Sequence, residues 1–348
     1  MTPGEPAFAG GRSGTVLMCP GQGAYLPGAL RHLYGIPAVR RVLNTVDARP
    51  RGPGDTTPRV SRLLTDQGAP GPEELMACHP LAFDLATYAA VVASAGVVID
   101  HLRTPVDAVL GHSVGDLAAL TVAGAITVRQ GVRLLCARDR MLRGAALPAG
   151  GLLATDMSAA RTAELLGSCS VPQVRVAAHN APAQVVLAGP DRELAAVREA
   201  ARARGHRATP LTSRTAFHHP LLDEVDRAFH RLLCRHPLRP PALAVYTAAS
   251  DRRAQTPRQL RAAAAAHLTE PMTFSRTLRT LHGAGYTTFI DSGPRALLST
   301  LAKANLPDCR TAAPLRTPAD AERMRHRLGS LCPDPRRWSP TSAADGPS

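Results

Sequence analysis

The stretch Val106–Ala119, which reads VDAVLGHSVGDLAA, constrains the fold of this chain more than any other. A short apolar run at its start predicts a buried strand, and the apolar residues that recur after Val114 predict a helix. Between them lies G-H-S-V-G, in which glycines stand two residues before and two residues after Ser113. In a strand–turn–helix setting this pattern is typical of a nucleophile elbow, a strained turn that holds a serine hydroxyl clear of a sheet and near the N–H groups of the following helix. An ordinary strand–helix turn that happens to contain a serine is the alternative.

The composition suits a globular protein with a sizeable core. The chain has 348 residues, 45% of them hydrophobic, which is enough for one large or two medium domains. The longest apolar run, Tyr88–Ile99, is too short to span a bilayer, and residues 1–14 lack the pattern of a signal peptide. The seven cysteines are scattered without a C-x-x-C pair, which indicates a reducing compartment and neither a disulfide framework nor a zinc site. We therefore expect a cytoplasmic protein that does not associate with membranes.

The chain is strongly basic, with a formal net charge of +14, and Lys303 is its only lysine. Such a balance is compatible with nucleic acid, an acidic partner protein or phosphorylated ligands. The arginines form no single run, and few aromatic side chains are present to stack on bases, which disfavours nucleic acid. An acidic partner, coenzyme phosphates and a merely arginine-rich solvated surface stay open.

Residues 149–213 have a rhythm of strands and helices of their own. They predict the order strand–helix–strand–strand–helix–strand, which is that of a ferredoxin-like unit inserted in a larger domain. The predicted strands are Gly151–Met157, Gln173–His179, Gln184–Gly189 and His206–Thr212, and the predicted helices are Ala159–Gly167 and Asp191–Gly205. Around this small subdomain we expect a large α/β subdomain of residues 14–148 and 214–330, a disordered start at residues 1–13 and a disordered tail at residues 331–348.

A serine nucleophile needs a base within hydrogen-bond reach, and thirteen histidines compete for this role. His218 is a candidate because it lies in a loop just after the small subdomain, although a surface histidine is the commoner finding. We expect His112 to pack or to form a hydrogen bond, because successive residues at such a turn point in different directions. None of the acidic residues between Ser113 and His218 stands alone after a strand, as the acid of an α/β-hydrolase would. A backbone carbonyl or an amide can orient the base instead.

Arg138 follows Ser113 on the second predicted helix past the turn. A guanidinium that faced the serine would bind a free carboxylate through two hydrogen bonds. Three further arginines lie close by in sequence, so a salt-bridged surface arginine is the simpler interpretation of this residue taken alone.

Taken together, several stretches resemble the malonyl-CoA:acyl carrier protein transacylase family. This family includes stand-alone enzymes of fatty-acid synthesis and the acyltransferases of polyketide synthases. The resemblance runs from about Thr15 to about Ala304, and six features occur in the right order and spacing. They are Pro20–Ala24 (PGQGA), Gly111–Asp116 (GHSVGD), Arg138, Asn180–Gly189 (NAPAQVVLAG), Ala216–Leu221 (AFHHPL) and Asp291–Pro294 (DSGP).

The resemblance implies roles for individual residues. Ser113 would be the nucleophile and His218 the general base, steadied by a backbone carbonyl. The backbone N–H groups of Gln22 and Val114 would form the oxyanion hole. Arg138 would hold the carboxylate of the extender unit.

The resemblance also implies a fold and a reaction. The family fold is an α/β-hydrolase-like core with an inserted ferredoxin-like (βαββαβ) subdomain. The expected function is transfer of a malonyl-type unit from coenzyme A to the phosphopantetheine thiol of an acyl carrier protein through an acyl-serine. The expected partners are malonyl-CoA, or a related extender, and an acidic holo carrier protein. We expect a monomer with no cofactor and no metal, since the coenzyme A thioester is a substrate.

Further positions either support the site, as Asn180, His112, Phe217 and His79 are expected to do, or bear on the preference for one acyl group over another. Asn180 matches a family asparagine near the histidine, which implies a supporting role, as for His112. Phe217 resembles the malonyl-type pattern, in which a bulky ring leaves little room for an α-branch. His79 precedes the proline of the helix ahead of the Ser113 turn, at a position where the family often has glutamine. Thr273 occupies a position where many members have glutamine or arginine.

These departures leave several alternatives open. The unit transferred could be methylmalonyl or ethylmalonyl, and the pathway fatty-acid or polyketide synthesis; we favour a discrete polyketide enzyme. An acyl hydrolase on the same fold is the nearest rival, although a carboxylate clamp would not serve an enzyme that clears monocarboxylic chains. A docking protein without chemistry is the rival from another class.

Overall fold

The structure, a computed structural model, describes residues 13–52, 54–317, 319–320 and 322–323. The predicted disordered ends, residues 1–13 and 331–348, lie outside these ranges except for Ser13. The strands are β1 Gly14–Cys19, β2 Ala108–Gly111, β3 Gly150–Thr155, β4 Arg175–Ala181, β5 Gln184–Pro190, β6 Ala208–Leu211, β7 Ala244–Thr247, β8 Ser250–Ala254, β9 Tyr286–Asp291 and β10 Arg310–Ala312.

Helices connect most of these strands. They are α1 Pro37–Asp47, α2 Val60–Thr65, α3 Pro72–Cys78, α4 Pro80–Gly96, α5 Gly115–Val122, α6 Val128–Gly144, α7 Ala159–Gly167, α8 Asp191–Ala203, α9 Asp223–Cys234, α10 Pro257–Ala265, α11 Phe274–Gly283 and α12 Leu297–Asn305. A wider helical turn, Val97–His101, continues α4, and Gln22–Ala24 forms a single tight turn after β1.

A six-stranded sheet forms the centre of the large subdomain, in the order β10–β9–β1–β2–β7–β8. Its strands are parallel except β8, which runs antiparallel to β7 at one edge. β1 and β2 are neighbours, with Cys19 paired to Gly111, so the loops that follow the two strands leave the sheet side by side. This pairing brings the P-G-Q-G loop next to the G-x-S-x-G turn, two motifs that are far apart in sequence.

The small subdomain is a four-stranded antiparallel sheet in the order β4–β5–β3–β6. Helices α7 and α8 pack on it around a core of its own, which includes Leu153, Leu187 and Val197. This is the ferredoxin-like order that the sequence predicts, inserted between α6 and α9 of the larger α/β-hydrolase-like core.

Backbone hydrogen bonds join the two subdomains along a seam between β4 and the segment before α11. The Met272 N–H donates to the Ala177 carbonyl (2.8 Å), and the His179 N–H donates to the Met272 carbonyl (2.9 Å). The Asn305 amide of α12 also donates to the Asn180 carbonyl, at 2.7 Å. The small sheet is thereby fixed against the large subdomain beside the carboxyl ends of its strands.

α4 is the central helix of the large subdomain. Within the described residues, the continuous helix Pro80–His101 is long and apolar enough to cross a membrane, although the apolar run Tyr88–Ile99 alone is not. Most of it is buried inside the fold, which is how the core helix of a globular protein passes the same test. Asp84 is the only charged residue of α4 and is itself 1% exposed. A buried charge in such a helix needs partners, and these lie in the candidate active site.

Candidate active site

Ser113 lies at a sharp turn between β2 and α5. Its φ is +59°, in the left-handed region that costs a non-glycine residue free energy and that recurs at functional sites. The flanking glycines are required by space: a Cβ on Gly111 would overlap the Asp116 side chain, and a Cβ on Gly115 would overlap the Cys19 carbonyl. The turn therefore has the geometry of a nucleophile elbow.

His218 lies against this serine. Its Nε2 is 2.8 Å from Ser113 Oγ, and its Nδ1 is 2.7 Å from the carbonyl oxygen of Glu270. A carbonyl only accepts, so Nδ1 carries the proton and Nε2 accepts from the serine hydroxyl. The imidazole is thus oriented by a backbone carbonyl, one of the two arrangements expected for the candidate base in the absence of an acidic partner.

Burial sets the protonation state of His218. Loss of solvent lowers the pKa of its imidazole to about 4, the Glu270 carbonyl opposes part of that shift, and the nearby His112 adds to it. At neutral pH the imidazole is therefore uncharged. This is the form that takes a proton from the serine hydroxyl.

The loop after β1 packs directly on the elbow. Gly21 approaches it so closely that a Cβ there would lie 2.9 Å from the His112 carbonyl and 3.2 Å from Ser113 Cβ. Gln22 follows in the tight turn, and Val114 follows the serine at the entrance to α5. The two residues expected to supply oxyanion-hole N–H groups therefore belong to segments that pack against each other.

Arg138 is completely buried in α6, contrary to the surface alternative. Its Cζ lies 5.5 Å from the ring centre of Phe217, the residue before the base. Its Nη2 forms an ion pair with Asp84 Oδ2 at 2.5 Å, with angles that are not those of a hydrogen bond, and none of its three nitrogens has a well-oriented acceptor among the described residues. Burial lowers the pKa of the guanidinium, and the Asp84 carboxylate opposes this shift. The guanidinium is a charged donor next to Phe217 and can form further hydrogen bonds.

Asp84 connects Arg138 to the rest of the site, and sequence reasoning did not single it out. Its Oδ1 accepts from Gln22 Nε2 at 2.8 Å, and its Oδ2 accepts from Arg214 Nη2 at 3.0 Å. Arg214 also donates from Nη1 to Asp139 Oδ1 at 2.5 Å. We refer to Asp84, Arg138, Asp139 and Arg214 as the buried charge cluster. A signal was present in the sequence, because a single carboxylate in an otherwise apolar helix requires a buried cation.

His112 and Asn180 form the side of the site that faces the small subdomain. His112 Nε2 is 2.9 Å from Asn180 Oδ1, and the imidazole packs edge-on against the Phe274 ring at 5.1 Å. His112, expected to pack or to form a hydrogen bond, does both in the structure. The side chain of Asn180, which was expected near His218, contacts His112, the residue before Ser113.

The two positions that depart from the family pattern lie apart from these contacts. His79 is half-buried at the junction of α3 and α4, where its backbone carbonyl accepts from the Phe83 N–H at 3.1 Å. Thr273 caps α11, and its buried hydroxyl has no hydrogen-bond partner among the described residues. The carbonyl that orients His218 belongs to Glu270, so the side chain of Thr273 does not enter that contact.

Comparisons with known sequences agree with this geometry. A family model described as an acyl transferase domain matches residues 17–326. Polyketide synthase GfsA of Streptomyces halstedii is 35% identical over 198 residues, which are 56% of this chain and 3% of that protein. The phenolphthiocerol synthesis polyketide synthase type I Pks15/1 of Mycobacterium bovis is 32% identical over 294 residues, which are 84% of this chain and 13% of that protein. The chain thus spans a small fraction of the length of these relatives.

Solved structures share the fold at lower identity. An acyl-carrier-protein S-malonyltransferase from Burkholderia pseudomallei has a TM-score of 0.78 at 23% identity, covering 90% of this chain and 99% of its own. A malonyl-transacylase in complex with a type II polyketide synthase acyl carrier protein has a TM-score of 0.79 at 23% identity, covering 90% and 100%. The family match and these folds agree with the predicted resemblance. The chain belongs to the acyl transferase domain family, and it shares its fold with these two malonyl-transferring proteins.

Proposed function

We propose that this protein transfers a malonyl-type acyl unit from coenzyme A to the phosphopantetheine thiol of an acyl carrier protein, through an acyl-Ser113 intermediate. The observation that carries the proposal is a pair of hydrogen bonds made by His218, which we call the relay. Its Nε2 accepts from Ser113 Oγ at 2.8 Å, and its Nδ1 donates to the Glu270 carbonyl at 2.7 Å. The buried guanidinium of Arg138 beside it supports a substrate that carries a carboxylate.

Acylation follows from the relay. The Ser113 oxygen attacks the thioester carbonyl while its proton passes to His218 Nε2, which is uncharged at neutral pH. The negative charge that develops on the carbonyl oxygen is stabilised by the N–H groups of Gln22 and Val114, and one such donor is worth roughly 3 kcal/mol in the barrier. Collapse of the intermediate breaks the carbon–sulfur bond, and the imidazolium returns its proton to the departing coenzyme A sulfur.

Transfer to the carrier runs through the same groups in reverse. The thiol of the phosphopantetheine arm loses its proton to His218 as its sulfur attacks the acyl-serine. The oxyanion occupies the same pair of N–H groups, and Ser113 leaves with the proton from the imidazolium. The Glu270 carbonyl holds the imidazole in one tautomer and one orientation throughout both halves.

Arg138 supplies the binding energy for the acyl carboxylate. Because its nitrogens lack well-oriented acceptors, a carboxylate can accept from two of them in the bidentate geometry that guanidinium favours. Phe217 stands at 5.5 Å from Arg138 Cζ and bounds the same space, which favours an unbranched malonyl unit over a substituted one.

The partner follows from charge and from the relatives. Acyl carrier proteins are expected to be acidic, and a chain with a formal net charge of +14 would attract them at long range. One protein of the same fold was solved as a complex of a malonyl-transacylase with its carrier protein.

Intact mass spectrometry tests the proposal. Incubation with malonyl-CoA should add one malonyl group, located on Ser113, and a holo carrier protein should remove it and become malonylated. Ser113→Ala should remain unmodified in the same mixture. Absence of the adduct would overturn the proposal, and carrier-stimulated release of free malonate without carrier acylation would favour the acyl hydrolase.

A further inference from the structure

The buried charge cluster surrounds the guanidinium that the proposed function assigns to the substrate. Asp84 Oδ2 lies 2.5 Å from Arg138 Nη2 and also accepts from Arg214, and both ions of the Asp84–Arg138 pair are fully buried. A surface pair would be screened by water and salt, but this pair is not. Arg138 is therefore already paired with an anion of the protein before a substrate carboxylate binds.

The charges of the cluster cancel within the protein. Two guanidinium groups, Arg138 and Arg214, face two carboxylates, Asp84 and Asp139, at contact distances of 2.5 to 3.0 Å. Arg143 also contacts Asp139, at 2.8 Å, but its side chain is 65% exposed and therefore largely screened. A malonyl carboxylate bound at Arg138 would thus be a third anion for two cations, of which Arg138 is fully buried and Arg214 is 13% exposed.

We infer that Asp84 is a specificity-determining residue, which weakens the preference of the acyl pocket for carboxylate-bearing units by competing for Arg138. The inference rests on the proposed function. A substrate carboxylate and the Asp84 carboxylate share one guanidinium and repel each other in a poorly screened site. An uncharged acyl group, such as propionyl, meets no such repulsion. The pocket therefore discriminates between malonyl and uncharged units less than a lone buried arginine would.

A purely structural role for Asp84 predicts the opposite result. Asp84 also accepts from Gln22 Nε2, so it could serve only to position Gln22 and Arg138. In that case removal of Asp84 would lower kcat/KM for both acyl units alike, or would lower it more for the malonyl unit. Competition predicts that neutralising Asp84 favours the malonyl unit relative to the uncharged one.

Asp84→Asn separates these outcomes, because asparagine keeps the shape and an oxygen acceptor for Gln22 but removes the charge. The measurement is kcat/KM for malonyl-CoA and for propionyl-CoA with holo carrier protein, on the same enzyme preparation, so that the folded fraction cancels in the ratio. We expect the malonyl-to-propionyl ratio to rise at least about tenfold over that of the unaltered protein. An unchanged or lower ratio would overturn the inference.

Asp139→Asn is the matched control. It removes the same charge from the same cluster, but from a carboxylate that contacts Arg214 and Arg143 and not Arg138. Its ratio should change less than about threefold, and an equal rise would assign the effect to the net charge of the cluster, which contradicts a specific role for Asp84. If the asparagine variant is poorly soluble, Asp84→Ser replaces it in the measurement, and we expect it to raise the malonyl-to-propionyl ratio as well.

The unaltered protein gives an independent test. It should acylate Ser113 with propionyl-CoA at a kcat/KM within about a hundredfold of that for malonyl-CoA, and a larger preference for malonyl-CoA would refute the inference even if no variant folds. Failure of the proposed function looks different, because then neither thioester acylates Ser113.

Discussion

Acylation of Ser113 should persist at pH values where an ordinary histidine is already protonated. The base must be uncharged, and burial lowers the pKa of His218 to about 4 from an ordinary value of 6.5. At pH 5.5 a histidine with the ordinary pKa would be about 9% uncharged, whereas one with a pKa near 4 would be about 97% uncharged. The two cases differ about tenfold in rate at that pH, and activity is lost only as the pH falls through about 4.

A single-turnover experiment measures this directly. Acylation by propionyl-CoA, which carries no carboxylate on its acyl group, is quenched with acid at intervals and the adduct is quantified by intact mass between pH 4.5 and 8. Ser113→Ala provides the blank, and circular dichroism at each pH confirms that the fold persists. A tenfold fall between pH 7.5 and 5.5, with a midpoint near 6.5, would refute the argument that burial keeps the base uncharged.

Three substitutions test other parts of the site. Arg138→Ala should lower kcat/KM for malonyl-CoA at least about a hundredfold and favour acetyl-CoA by comparison, and an unchanged malonyl-to-acetyl ratio would remove Arg138 from the site. Gly115→Ala should abolish acylation, because its Cβ would overlap a backbone carbonyl, whereas Gly144→Ala, with no atom within 4 Å, should be silent in the same mass assay. Asp291→Ala should lower the free energy of unfolding by about 3 kcal/mol, because its carboxylate accepts hydrogen bonds from three buried N–H groups. In denaturant unfolding, the control Asp308→Ala, at an exposed position, should shift the midpoint little. Equal shifts for the two variants would contradict this prediction.

The sequence predicted the parts of the site that local geometry encodes. The elbow at Ser113 requires glycine at two flanking positions, because a Cβ would overlap Asp116 at one and the Cys19 carbonyl at the other. This requirement leaves the G-x-S-x-G pattern in the sequence. The strand and helix order of the small subdomain was equally legible, because each element carries its own periodicity. The absence of an acidic residue after a strand left a backbone carbonyl or an amide as the partner of His218, and the family resemblance implied the carbonyl.

The parts that the sequence did not predict depend on long-range pairing. Asp84 and Arg214 are 130 residues apart and meet only after the sheet has formed. Arg138 is both buried and ion-paired, a combination that neither interpretation of the sequence included. The edge strands β8 and β10 are short, and β8 is mostly polar, so neither shows the alternation of apolar and polar residues that would predict a strand.

The seam between the subdomains has a consequence for protein engineering. Asn180 belongs to the small sheet, yet its amide oxygen holds the histidine adjacent to the nucleophile, and its carbonyl is bound from α12. Replacing residues 149–213 with those of another acyltransferase would therefore change the contacts that hold His112 as well as the small subdomain. Unless the donor segment restores the Asn180 amide and the Ala177–Met272 pairing, the chimera would disturb the orientation of the elbow itself.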